Sequence, residues 1–188
     1  DYFMSKMPVG IVSIAAYLEK QRFNVTLANF SQMGYRKALH EISQIKPAVL
    51  GLSLFTHSRI DTLKLIKAVK KALPRTLIVI GGPHATFLAD EIIGRYSEVD
   101  YIIAGEGEKS FSILLKRIAR GEKTDRKIIS SEMVEDLDTL PSPGNYSGTL
   151  IGIEPKEQFS FIITSRGCVH RCVFCSSPLL GFLFQHQR

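Results

Sequence analysis

The chain has 188 residues, 45% of them hydrophobic, and a formal net charge of +6. This length can bury a full core and suits one domain with part of another. No apolar run is long enough to span a bilayer, so no transmembrane segment is predicted. The lysines of segment 60–73 recur at helical spacing without interleaved aromatic rings, which indicates solvated helix faces rather than a nucleic-acid surface.

Short apolar strands alternate with amphipathic helices along the first two thirds of the chain. The pattern predicts helices at about 8–21, 35–44, 60–73, 85–95 and 108–120, and strands at about 24–28, 48–54, 76–80 and 100–104. Ser58 and Asp61 predict a capping box at the third helix. The alternation predicts an α/β fold, a Rossmann-like doubly wound parallel sheet covered by helices on both faces.

Glycines and hydroxyls follow three of the predicted strands, at the edge where an open α/β sheet binds its ligands. The stretches contain Ser53 and Thr56, then Gly81, Gly82, Pro83 and His84, and finally Gly105, Glu106 and Gly107. Glycine has no Cβ, so a large ligand can approach the backbone there. The two hydroxyls can bond amide or nucleotide groups. A ligand site is therefore predicted at this edge.

The periodicity fails between about 121 and 158, where prolines and glycines predict a linker over the surface. A strand is predicted again at 159–164, and it leads directly into the three cysteines of the chain, Cys168, Cys172 and Cys175. An iron–sulfur cube usually takes four thiolate ligands, so three leave one iron open. An open metal position is typical of chemistry rather than of a structural site.

Two other interpretations of the cysteines are weaker. His170 could complete a Cys3His zinc site, but it lies too close in sequence to Cys168 and Cys172 for an easy tetrahedron. A disulfide is disfavoured because three is an odd number and no secretory signal is present. An oxygen-sensitive cluster in a chain without a targeting segment predicts a cytoplasmic protein.

The cysteine run, with the aromatic Phe174 just before its last cysteine, resembles the cluster motif of the radical S-adenosylmethionine (radical SAM) superfamily. The resemblance implies that Cys168, Cys172 and Cys175 hold a 4Fe-4S cluster whose open iron chelates SAM. It implies that the reduced cluster cleaves SAM to a 5'-deoxyadenosyl radical, with Phe174 beside the adenine. The protein would supply orientation and a dry cavity.

The stretches 8–10, 15–19, 51–53, 81–86, 105–108 and 136–141 resemble the cobalamin-binding domain that precedes the radical SAM barrel in one large subfamily. The resemblance implies that the corrin lies over the strand ends and that its nucleotide tail enters near Ser53, Gly81 and Gly82. It implies a set of cofactor contacts: Ser53, Thr56, Gly81, Gly82, Pro83, His84, Gly105, Glu106 and Gly107. His57 and His84 are interpreted as polar groups of the pocket rather than as cobalt ligands.

The predicted organisation is a cobalamin-binding domain at 1–125, a linker at 126–158 and the start of a truncated radical SAM barrel at 159–188. We therefore expect the amino-terminal part of an enzyme, inactive alone. The resemblance implies a methyltransferase, or a radical cyclase or rearrangement enzyme, acting on an unactivated carbon of a small-molecule or lipid-like substrate, with flavodoxin or ferredoxin as electron donor.

Two alternatives remain open for the function. One is a cobalamin carrier with a vestigial cysteine loop. A weaker one is a tRNA methylthiotransferase, which would carry a second cysteine set that is absent before Cys168.

Overall fold

Helices and strands alternate as the sequence predicts. The computed structural model describes residues 9–122, 124, 127–131, 133–153, 165–168, 170 and 172–176. Along these residues the elements are α1 (Val9–Lys20), β1 (Thr26–Ala28), α2 (Tyr35–Ile45), β2 (Val49–Ser53), α3 (Arg59–Ala72), β3 (Leu77–Gly81), α4 (Pro83–Phe87), α5 (Ala89–Arg95), β4 (Tyr101–Ala104), α6 (Glu108–Ala119), β5 (Ile128–Ser130) and β6 (Thr149–Ile151). Pro8 and the strand predicted at 159–164 lie outside the described residues.

Four strands form a parallel sheet in the order β2-β3-β4-β5. Side chains alternate between its faces, as strand geometry requires. Ile78, Ile80 and Ile102 pack against α2, α3, α4 and α5 on one face. Val79 and Ile103 pack against α6 on the other face. Helices thus cover both faces, and the predicted doubly wound α/β fold is confirmed.

A second, two-stranded sheet joins distant parts of the chain. β1 pairs in parallel with β6, and α1 packs beside this pair through Val12, Ala15 and Ala16, which contact Leu27 and Tyr146. β5 likewise extends the larger sheet beside β4. The prediction of an irregular surface linker between 121 and 158 is therefore wrong for these two strands. Each has three residues, too few to show a period of two, and its partner comes from far away in sequence.

Two further details differ from the prediction. Ser58 precedes α3 in a helical conformation (φ −98°, ψ −1°) and makes no side-chain cap; its hydroxyl donates to the carbonyl of Phe55, so the predicted capping box is wrong. The helix expected at 85–95 begins earlier, at Pro83, and is divided at Leu88, whose backbone (φ −120°, ψ 30°) leaves the helical region. Proline favours the first helical turn, where its missing N–H costs nothing. Among the described residues no helix is long and apolar enough to cross a bilayer.

Tyr146 fixes the chain before β6 and provides a test by pH. Its hydroxyl donates to the carbonyl of Val25 at 2.8 Å, with the carbonyl of Thr149 at 3.1 Å, and burial raises the pKa of Tyr146 above its ordinary value. The raised pKa means that the folded state holds this proton more tightly than the unfolded chain does. The protonated hydroxyl therefore contributes its full stabilisation below about pH 10, the pKa of tyrosine in the unfolded chain. This stabilisation is lost as the pH rises through the pKa of Tyr146 in the folded state.

We expect Tyr146→Phe to lower the free energy of unfolding by about 0.5–1.5 kcal/mol at neutral pH, because one hydrogen bond is lost. The difference between wild type and variant should shrink above about pH 10. Urea unfolding of both proteins from pH 8 to pH 11 measures this difference. A difference that stays constant across the series would contradict the assignment.

Candidate ligand cleft and cysteine loop

A cleft of about 520 Å³ opens at the carboxyl ends of β2, β3 and β4. This volume is within the range of small-molecule and cofactor sites. Seven of the predicted residues line it: Ser53, Gly81, Gly82, Pro83, Gly105, Glu106 and Gly107. The first turns of α1 and α6, the segment 137–143 and residues 165–167 also contribute to its wall. The edge predicted from the sequence is the edge where the cleft lies, and part of the expected surface linker borders it.

Two glycines allow the strand ends to turn sharply beside the cleft. Gly82 has φ +89° and ψ 176°, a region that only glycine occupies readily. A Cβ there would lie 2.8 Å from Ser53 Oγ and 3.1 Å from the carbonyl oxygen of Leu54. Gly105 has φ +98°. The Thr86 hydroxyl ties these two turns together, because it donates to the carbonyl of Gly82 and accepts from the N–H of Gly105, each at 3.0 Å.

Ser53 presents a hydroxyl to the cleft. It is half-buried and lines the cleft, yet within the part of the chain that the structure describes its Oγ makes no hydrogen bond. Thr56 and His84 are placed elsewhere: they do not line the cleft, and Thr56 Oγ1 lies 3.0 Å from His84 Nδ1. His57 stacks on Phe55, with ring centroids 5.6 Å apart. Cofactor contacts by Thr56 and His84 stay predictions.

An ionic network joins the cysteine loop to the wall of the cleft. Arg166 Nη1 donates to Glu106 Oε1 at 2.9 Å, and Arg166 Nη2 donates to Glu108 Oε1. The Arg166 side chain is 20% exposed, against 5% for Glu106 and 3% for Glu108. Ser13 donates to Glu108 at 2.8 Å, and the N–H of Val134 donates to the other oxygen of Glu106 at 2.6 Å. Both oxygens of Glu106 therefore accept a hydrogen bond, and Oε1 of Glu108 accepts two.

The network keeps Arg166 charged. Burial by itself lowers the pKa of Arg166, but hydrogen bonds and Coulombic attraction to Glu108 and then to Glu106 outweigh it, and the net pKa lies above the ordinary value. The guanidinium is consequently an ion at every physiological pH. A planar fork with several fixed donors suits two carboxylates better than a lysine would.

The three cysteines lie just beyond Arg166. Cys168 and Cys172 are exposed and Cys175 is half-buried, and the N–H of Cys175 donates to the carbonyl of Cys172 at 3.0 Å, which closes a turn. Phe174 is 89% exposed. Within the described residues, no group of three or more His, Cys, Asp or Glu side chains converges closely enough to hold a metal ion. The predicted ligation by the cysteines is therefore not tested by this conformation.

Sequence reasoning did not assign roles to Ser13, Glu108 or Arg166. They come from α1, from the start of α6 and from the cysteine loop, and 95 residues separate Ser13 from Glu108. Glu108 lies in the stretch 105–108 and Arg166 lies two residues before Cys168. Both residues therefore adjoin motifs that the sequence makes visible. No local pattern indicates that they meet.

The fold and the cleft define an α/β ligand-binding domain with its site at the carboxyl edge of a parallel sheet. Residues 6–115 match the family model described as the B12 binding domain. This match covers more than half of the chain, and the chain belongs to that family.

Three relatives match most of the chain. The chain is 24% identical to an uncharacterized methyltransferase of Pyrococcus horikoshii, over 92% of this chain and 41% of the relative. It is 22% identical to the anaerobic magnesium-protoporphyrin IX monomethyl ester cyclase of Rubrivivax gelatinosus, over 90% of this chain and 34% of the relative. It is 27% identical to the cobalamin-dependent radical SAM methyltransferase TokK of Streptomyces tokunonensis, over 70% of this chain and 22% of the relative.

The chain therefore spans less than half the length of each of these curated relatives. Together with the family match, they confirm the resemblance to radical SAM proteins that carry a cobalamin-binding domain. These relatives are named as methyltransferases and a cyclase.

Proposed function

We propose that this chain is the cobalamin-binding part of a radical SAM enzyme that reductively cleaves SAM at a 4Fe-4S cluster to modify an unactivated carbon. One observation carries the proposal: Arg166, two residues before Cys168, is bonded to Glu106 and Glu108 in the wall of the cleft. This contact supports the proposal that the cleft and the thiols serve one site. The family match names B12 as the ligand of the domain, and the relatives include an enzyme of the proposed kind.

The cleft fits cobalamin by its chemistry. Its lining is largely apolar, with Val79, Ile80 and Ile103 beside the glycine turns, and an apolar wall with few polar groups is usual for a cofactor site. Ser53 provides the hydroxyl that would bond the nucleotide tail. The glycine turns let the backbone of the strand ends lie close to the ligand, since no Cβ stands between them.

The cysteine loop fits an iron–sulfur cluster by its donor set. Cys168, Cys172 and Cys175 would supply three thiolates, the ligand type that such clusters take, and Phe174 presents an exposed ring for the adenine of SAM. When bound, the cluster and SAM would together supply the radical, and cobalamin would supply the methyl group. The chain's own part is to hold them near each other and to exclude water from between them.

The reaction class follows the names of the relatives. Methyl transfer is proposed first, and cyclisation or rearrangement second, since both methyltransferases and a cyclase are among them. The substrate is proposed to be a small or lipid-like molecule, and a flavodoxin or ferredoxin is proposed as electron donor. A cobalamin carrier is the second candidate function, and it is favoured by the exposure of Cys168 and Cys172.

The proposal is tested by loading the chain under anaerobic conditions with iron, sulfide and hydroxocobalamin. We expect a 4Fe-4S absorption spectrum together with one bound cobalamin per chain. Cys172→Ala removes one of the three thiolates and should abolish the iron spectrum while cobalamin binding stays unchanged, because Cys172 is not part of the cleft wall. Metal analysis and equilibrium dialysis measure the two cofactors separately.

The outcomes separate the candidates. Cobalamin uptake without iron supports the carrier. Zinc in place of iron at the cysteines, or no cobalamin uptake by the folded chain, contradicts the proposed enzyme. The matched control is Ser176→Ala, which changes an equally small side chain next to Cys175 without removing a thiol.

A further inference from the structure

We propose that Arg166 is a positioning residue that fixes the cysteine loop against the cleft. The proposal rests on the proposed function, in which the thiols and the cleft serve one reaction. It adds a residue outside the cysteine motif and outside the residues predicted to contact cofactors. The geometry that carries it is a clasp, defined as the guanidinium of Arg166 between the carboxylates of Glu106 and Glu108.

Both carboxylates are held in place by donors other than Arg166. Ser13 donates to Glu108 from α1, and the N–H of Val134 donates to Glu106 from the segment after β5. Removing the arginine would therefore leave the two acceptors in nearly the same places. The carboxylates behave as a preformed receptor for a forked cation, which is the group that binds two carboxylates with defined geometry.

The clasp is a polar attachment of the cysteine loop to the rest of the molecule. Within the described part of 165–176, the Arg166 side chain donates hydrogen bonds to Glu106, to Glu108 and to Ser13 of the sheet domain. Gly167, with φ +89°, then turns the chain toward Cys168. A backbone region that favours glycine directly after the anchored residue sets the direction in which the loop leaves the cleft.

Burial makes the clasp selective for one arrangement. Glu106 and Glu108 are nearly fully buried, so each unpaired carboxylate would carry a large desolvation cost. A loop displaced by more than hydrogen-bond distance would leave both charges without their cation. The clasp thus holds the loop at one distance from the cleft. Apolar packing contributes little to this, because Val173 and Phe174 are exposed.

The test measures the loop position in the chain without cofactors. Cys172→Ala and Cys175→Ala leave Cys168 as one labelling site, and Ile113→Cys adds a second on α6, where the Ile113 side chain is 58% exposed. Nitroxide labels on the two sites report the distance between loop and helix by pulsed electron paramagnetic resonance. We expect one narrow distance distribution, which Arg166→Met broadens at least twofold and Arg166→Lys broadens less.

Two controls distinguish positioning from a general effect on stability. Arg120→Met removes an arginine whose side chain is 71% exposed and should leave the distribution unchanged. Val69→Ala cuts a fully buried side chain in the other half of the core and should lower stability without broadening it. If Arg166→Met does not fold by circular dichroism, the double variant Glu106→Gln and Glu108→Gln replaces it with the same expected broadening.

An unchanged distribution in the folded Arg166→Met chain, or in the folded double variant, overturns the clasp as a positioning device. Broadening by Val69→Ala equal to that by Arg166→Met overturns it as well. Because the labels need no cofactor, failure of cofactor loading contradicts the proposed function without changing this result.

Discussion

Replacing Arg166 with methionine is expected to lower the free energy of unfolding by about 3–5 kcal/mol, the cost of leaving buried charge without its partner. Methionine keeps much of the aliphatic volume, so the loss comes from Glu106 and Glu108, whose side chains are 5% and 3% exposed. The guanidinium remains charged at neutral pH because its pKa is raised by both carboxylates. Urea unfolding at neutral pH, followed by circular dichroism, measures the loss.

The same experiment has an internal check. Adding Glu106→Gln and Glu108→Gln to Arg166→Met removes the unpaired charges and should recover about 2 kcal/mol of the loss. Arg120→Met is the matched control, with an expected change within about 0.5 kcal/mol because exposed ion pairs contribute little. Two results would contradict this account: a loss below about 1 kcal/mol for Arg166→Met, or no recovery in the triple variant. Either would show that leaving the two buried carboxylates without their cation costs little free energy.

Gly82→Ala is the second large expected effect, a loss of about 2–4 kcal/mol in the free energy of unfolding. Its φ of +89° and ψ of 176° are unfavourable for any side chain. The added Cβ would also meet Ser53 Oγ at 2.8 Å and two backbone atoms of Leu54 at 3.1 and 3.2 Å. Backbone cannot give way as a side chain can, so β2 and the turn after β3 must separate.

The loss should extend to ligand binding, since Ser53 is displaced from the cleft. We expect cobalamin affinity to fall at least tenfold in equilibrium dialysis with the folded variant. Gly94→Ala is the control: no atom lies within 4 Å of its added Cβ, and its place inside α5 means that alanine should stabilise the helix by about 0.5–1 kcal/mol. Equal stability changes for Gly82→Ala and Gly94→Ala would contradict this account.

The periodic parts of the fold were predictable because their signal is local. The five residues of β3 place Ile78 and Ile80 on one face of the sheet and Val79 on the other. The helices between the strands show apolar residues with a period near 3.6. The edge of the sheet that carries the cleft followed from the same pattern, since parallel strands all end at one side. The three cysteines and the glycines of the turns could also be recognised in the sequence, because each set lies within a short stretch.

Only the tertiary structure decided which polar groups meet. β5 and β6 have three residues each and exist because Ile128 and Thr149 pair with strands elsewhere. Thr56 and His84 bond each other beside the cleft rather than lining it, a result of side-chain direction that spacing does not give. Arg166 meets Glu106 and Glu108 across 60 and 58 residues.

Short-range patterns thus determined the class of fold and the edge of the sheet at which the cleft lies. The attachment of the cysteine loop to the cleft depended on burial and charge pairing between residues far apart in the chain. The strength of a buried ion pair depends on its desolvation and on its hydrogen-bond partners in the folded protein. No single stretch of sequence specifies these.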